Sequence, residues 1–244
     1  MPYPHLKFRQ SALRDFKTLC AFAGDAKYDN GRNLDWAIFA KYPQLKQNFD
    51  KNYKINNKKT LRQFINSQYH SNEKKFEKAL TQHKKRWEKI APQYFSLVDK
   101  LFNSQHWPKG KYISFGTIWS MYPRFLEDKT FQIPYQHRNP KYVPVIIAHE
   151  LLHFMFYDYF YKQYPKYNRQ KYNFLVWHIS ETFNTLVQNS PEWLKYFKVK
   201  SEGYPEHQEL IAKLSRIFSK QKNWDLNELV AKITDEVLSQ KIAG

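Results

Sequence analysis

The segment from Val143 to Phe160, VPVIIAHELLHFMFYDYF, is the most apolar of the chain, yet it carries His149, Glu150, His153 and Asp158. A run this apolar is buried in any compact fold, and imidazoles and carboxylates buried without partners are costly. The run is close to the short limit for crossing a bilayer and holds ionisable groups in its centre, so it reads as a buried helix and not as a membrane span. Asn139-Pro140 breaks the chain ahead of it and Pro144 sits at a tolerated first-turn position, which predicts a helix starting near Val143. Whatever else this chain folds into, it has to bring polar atoms from another element to that helix.

His149-Glu150-Leu151-Leu152-His153 puts two imidazoles about 40° apart around a helix, so both can point at one metal ion from a single face. Glu150 lies beside that face, about 100° from His149. There it cannot comfortably join both histidines on the ion, but it can reach a water held by the ion and take its proton. Zinc with one coordination position open for water needs a third protein ligand. The pattern HExxHxxGxxH is excluded, because Phe156 stands where it needs glycine and Tyr159 where it needs histidine. Asp158 is turned about 140° from His153 on the same helix and is poorly placed to close the site. Glu181 is better, in the middle of the next predicted helix, which runs from about Tyr172 to Asn189 and is stopped by Ser190-Pro191.

Other segments show clear periods. Phe76, Leu80, Trp87, Ile90, Tyr94, Leu97 and Leu101 recur at helical spacing and predict an amphipathic helix over 71–102, kinked or split at Pro92. After Trp107-Pro108-Lys109-Gly110 the period changes to two, which predicts a strand near Tyr112 to Ile118, at a sheet edge, and a second short strand over Thr130 to Ile133. The tail reads as helices near 206–219 and 225–239, the second begun by an Asp225/Glu228 capping box. The fold class expected is α+β, mostly helical.

HELLH with a glutamate on a following helix resembles the gluzincin class of zinc metallopeptidases. The resemblance implies His149, His153 and Glu181 as zinc ligands and Glu150 as general base in the hydrolysis of a peptide bond. It implies a zincin-like core over 71–190: a small sheet whose edge strand near Tyr112 to Ile118 faces the substrate, a backing helix over 71–102, the HExxH helix and the glutamate helix. Residues 1–70 then form a basic N-terminal helical and loop segment, and 191–244 a C-terminal helical segment. Many gluzincins hold a zinc-binding histidine in its tautomer with an acid one turn after the glutamate. Thr185 stands at that position here with Asn184 beside it, and either could orient a ring nitrogen more weakly than a carboxylate. His178, one turn before Glu181, reads first as a helix histidine satisfied by hydrogen bonds, and otherwise as a supporting residue or a further ligand. Glu-Gly-Tyr-Pro-Glu-His reads first as an ordinary loop; Tyr204 and His207 within it are the candidates for stabilising an oxyanion, with Arg124 and Tyr135 weaker. The aromatic residues Phe154, Phe156, Tyr157, Tyr159 and Phe160 read as core.

Forty Lys and Arg against 22 Asp and Glu leave a surplus of +18, with 42% hydrophobic residues, which describes a folded basic protein and not a disordered polycation. The surplus is concentrated before residue 140, where 26 basic residues face 11 acidic. It points to acidic peptides or another anionic partner. Lys74, Lys75, Lys78, Lys84, Lys85, Arg86 and Lys89 read first as a solvated helix face; with their aromatic neighbours they also carry a competing expectation: a nucleic-acid-binding protein whose zinc is structural or vestigial. A single cysteine, Cys20, excludes an internal disulfide framework, and charge interrupts the N-terminus throughout, so the expected setting is the cytoplasm, with no membrane partner.

Overall fold

In a computed structural model, residues 3–24, 33–218 and 224–239 are described. The chain forms two compact units. A sheet unit comprises His5–Lys85 and Gly110–Val143, and a helical unit comprises Met1–Pro4, Arg86–Lys109 and Pro144–Gly244. The architecture is mostly helical α+β with one small mixed sheet.

The sheet unit contains strands β1 (Lys7–Gln10), β2 (Ile113–Thr117), β3 (Arg124–Phe125) and β4 (Thr130–Pro134) in the order β1-β2-β4-β3. β1 and β4 both run parallel to β2, with Lys7 opposite Ile113 and Ile113 opposite Thr130, while β3 is antiparallel to β4. The strand read from the alternation near Tyr112 is therefore interior and not an edge. Its free side is taken by Lys7–Gln10, a four-residue strand too short and too polar to show a period of its own. Parallel pairing of β1 with β2 needs a long crossover. Helices α1 (Ala12–Phe22) and α2 (Lys58–Ser71) lie in it. Ser11 and Asn57 cap them by accepting from the amides of Arg14 and Thr60 at 3.1 and 3.0 Å. Leu19, Leu34, Ile38, Leu61, Ile65, Phe76 and Trp119 form the core of this unit.

One carboxylate is buried in that core. Asp15 has no exposed surface and accepts from the Tyr69 hydroxyl at 2.8 Å, the Ile118 amide at 3.0 Å and Gln132 Nε2 at 2.5 Å. Burial raises its pKa from 3.8 to about 6 against the opposing effect of these bonds. The folded state then binds a proton that the unfolded chain releases between about pH 4 and 6, so stability falls as pH rises through that window. Asp15→Asn should remove this slope, read as urea midpoints at pH 4, 5, 6 and 7.

Helix α3 (Glu73–Leu101) runs unbroken through Pro92, its first part in the sheet unit and the rest in the helical unit. The proline forfeits one backbone hydrogen bond. Buried Trp87, Tyr94 and Phe95 hold the turns on either side, with the Trp87 and Tyr94 rings edge to face at 5.1 Å. In the helical unit follow α4 (Val143–Gln163), α5 (Asn173–Gln188), α6 (Pro191–Phe197), α7 (Gln208–Phe218) and α8 (Leu226–Ser239). Asp225 caps α8 by accepting from the Glu228 amide at 2.9 Å. Residue 219 of the helix read over 206–219 lies outside the described residues. Phe154, Phe156, Tyr157, Tyr159 and Phe160 are all buried, as core residues. Among the described residues no helix is long and apolar enough to cross a membrane.

Candidate metal centre

Helix α4 is apolar around most of its circumference, and α5 supplies the polar atoms it needs. Ser180, Glu181, Asn184 and Gln188 are buried on α5. Gln188 Nε2 donates to the Val145 carbonyl at 3.0 Å, and Asn184 Nδ2 donates to the His149 carbonyl at 2.9 Å. Ser180 Oγ lies 2.6 Å from His153 Nδ1. Positions rise along α4 as they fall along α5, so the two helices run antiparallel with their polar groups facing each other.

The ligand atoms of His149, His153 and Glu181 converge within 4.8 Å of one another. His149 Nε2 is 2.9 Å from Glu181 Oε2, and His153 Nε2 is 3.4 Å from Glu181 Oε1. His153 has no exposed surface and Glu181 is 2% exposed. Hydrogen-bond accounting then constrains the charge. Because the Gln188 amide donates to Val145, its Oε1, 2.9 Å from His149 Nδ1, is an acceptor, and the proton of neutral His149 sits on Nδ1. That leaves a lone pair on Nε2 facing a carboxylate oxygen at 2.9 Å. Two lone pairs at that distance repel unless a cation lies with them, either a second ring proton or a metal ion. Burial disfavours the proton, yet the hydrogen bond and charge of Glu181, with the charge of Glu150 and the bond to Gln188, leave the His149 pKa raised. The donor set of two imidazoles and one carboxylate is that of a three-ligand zinc site, so the residues present fit the ion the sequence pointed to.

Glu150 is buried at 7% exposure and stands outside the converging group, although its charge is felt at His149. Asp158 is engaged elsewhere, accepting from Gln105 Nε2 at 2.7 Å and Lys162 Nζ at 2.6 Å. Neither Asn184 nor Thr185 orients a ligand ring: the first bonds a backbone carbonyl and the second packs against Gly203. The orienting residues are Gln188 and Ser180. Gln188 lies a further turn along α5 and Ser180 directly precedes the glutamate, so a search for an acid one turn after Glu181 misses both. The sequence signal was a polar stripe on an otherwise apolar helix. Orienting partners of this kind are worth about 10- to 100-fold in metal affinity. Gln188→Leu should lower zinc affinity by about that factor with folding retained, measured by competition with a chelating dye.

His178 is buried one turn before Glu181, and its Nδ1 lies 2.6 Å from Nε2 of fully buried His207. Burial and then His207 push His178 down to about 4, and burial lowers His207 as well, so both rings are neutral near pH 7. In a neutral pair one ring donates to the other, which leaves one outer nitrogen as a donor and the other as an acceptor. The segment that delivers His207 lies on α5. Asn189 Oδ1 accepts from the Ser201 amide at 2.8 Å, and a Cβ at Gly203 would come within 3.1 Å of Thr185. Tyr204 is 44% exposed, with its ring 4.9 Å from Trp177. Arg124 and Tyr135 belong to the sheet unit.

Comparisons with known protein families, with curated proteins and with solved structures return no match.

Proposed function

We propose that this chain is a zinc-dependent peptidase of gluzincin type, with His149, His153 and Glu181 as ligands and Glu150 as general base. The observation that supports it is the convergence of two imidazoles and one carboxylate between two largely buried helices. Three converging residues favour a working site over a structural one, since structural zinc is held by four protein ligands. When bound, the ion polarises the scissile carbonyl and acidifies a water. Glu150, beside the ligand face and outside the ligand group, would serve as general base to the attacking water and pass the proton to the leaving amine. Gln188 and Ser180 hold the two rings through Nδ1, so Nε2 of each would be the atom that holds the ion. Glu181 would balance part of the ion's charge inside the helix pair.

The test is incubation of the full chain with a mixture of unstructured peptides, with and without zinc and a strong chelator, followed by mass spectrometry. Cleavage that chelation abolishes and zinc restores is the expected result. Absence of cleavage by zinc-loaded protein across the mixture would overturn the reading.

A further inference from the structure

The positive surplus is not shared by the two units. The sheet unit carries 23 Lys and Arg against 9 Asp and Glu, whereas the helical unit, which holds the metal centre, carries 17 against 13. A surplus of 14 charges therefore sits on the unit that does not hold the metal centre. The lysines of α3 are a poor explanation for it. The aromatic residues interleaved with them, Phe76 and Trp87, are 1% and 3% exposed and have no face to offer a ligand, and Glu73, Glu77 and Glu88 dilute their charge.

The outer surface of α1 and α2 differs. A cleft of about 420 Å3 is lined by Phe16 from α1 and by Lys58, Lys59, Arg62, Gln63 and Asn66 from α2. No acidic side chain lines it, and among the described residues none of the three cations is paired with a carboxylate. Phe16 is only partly buried, and the Arg62 guanidinium carbon lies 6.0 Å from its ring centroid. The lining thus offers cations for phosphates, an aromatic surface for stacking and two carboxamides with paired donors and acceptors for base edges.

We propose that the cleft between α1 and α2 binds single-stranded nucleic acid, with Lys58, Lys59 and Arg62 on the phosphates and Phe16 against a base. A duplex keeps its bases stacked inside and would leave Phe16 unused. An acidic peptide would meet the cations and bond the carboxamides through its backbone, but its Asp and Glu side chains offer the Phe16 ring no aromatic face to stack on. Three cations spaced along one helix, Lys58, Lys59 and Arg62, suit successive phosphates of a strand better than a free nucleotide. This inference does not depend on the metal centre.

The test is fluorescence anisotropy of a labelled single strand of about 12 nucleotides with the full chain at several salt concentrations. Lys58→Gln/Lys59→Gln/Arg62→Gln should weaken binding about tenfold or more near 0.15 M salt and flatten the salt slope by about 0.7 for each phosphate no longer neutralised. The charge-matched Lys74→Gln/Lys75→Gln/Lys78→Gln should change affinity less than about threefold, as a non-specific term. Phe16→Leu should cost about fivefold or more without changing the slope, and Phe16→Trp, which keeps a stacking surface, should restore affinity. The Trp variant also separates loss of stacking from damage to the core that Phe16 touches. Equal losses in the two triple variants, equal competition by duplex, free nucleotide or polyglutamate, or no binding at low salt would each overturn the proposal.

Discussion

Purified protein stripped of metal and then titrated with zinc should take up about one ion per chain, and the His149→Ala/His153→Ala variant should take up none at the same concentrations. Zinc bound by proteins is worth about 10–16 kcal/mol in full four-ligand sites, or about 3 kcal/mol per ligand, so losing two ligands lowers affinity by roughly 10⁴-fold. The metal-free wild type should stay folded. Glu181 already faces His149 Nε2 at 2.9 Å and His153 Nε2 at 3.4 Å, and a protonated His149 can take over the cation's place. Zinc at about a thousandfold above its dissociation constant adds about 4 kcal/mol, which at this chain length raises the melting temperature by roughly 10 °C. The double alanine variant leaves the Glu181 carboxylate buried without its imidazoles, at a cost of about 3–5 kcal/mol, so it is to be read beside His153→Gln, which retains a polar neighbour. Stoichiometric zinc on both variants, with circular dichroism unchanged, would show that the ion is held elsewhere.

Much of this centre is legible in the sequence because its chemistry contradicts its surroundings. Two histidines and a glutamate in the most apolar run, followed by a second helix with a glutamate at its middle, mark His149, His153 and Glu181 as a group, and the structure brings their ligand atoms together. The supports are harder to see. Gln188 and Ser180 act through contacts between antiparallel helices, where the register of α5 against α4 decides which polar residue meets which ring, and register is not written in either helix alone. The sheet shows the same limit. The alternation around Ile113 to Thr117 identifies a strand, but its place between β1 and β4 depends on Lys7–Gln10, distant in sequence and without a pattern of its own. Pro92 reads as a kink or a split because proline removes a backbone bond; the helix is not split, and Trp87 and Tyr94 are buried on the turns to either side. His178 and His207 are each visible as candidates. Their pairing is not, since it rests on a close approach at Gly203 that a sequence pattern does not reveal.

Glu150→Gln should retain zinc and lose about 10²- to 10⁴-fold in turnover on any peptide the wild type cleaves, as removal of a general base does. The amide matches the carboxylate in size and still forms hydrogen bonds at a site 7% exposed, so folding and substrate binding should hardly change and the loss should fall on kcat and not on KM. Glu181→Gln is the informative partner. Both positions are buried glutamates whose charge is felt at His149, and a merely electrostatic role would make the two amides equivalent. The geometry separates them: Glu181 presents both carboxylate oxygens to the two Nε2 atoms, whereas Glu150 stands outside the converging ligand atoms. Glu181→Gln should therefore lose zinc affinity first, with activity partly recovered at high zinc, while no zinc concentration should rescue Glu150→Gln. The checks are zinc content by elemental analysis and single-turnover cleavage of one peptide across a zinc series. Equal loss of metal in both variants, or full turnover by zinc-loaded Glu150→Gln, would remove Glu150 as the base and leave the centre as a metal site without the proposed hydrolysis.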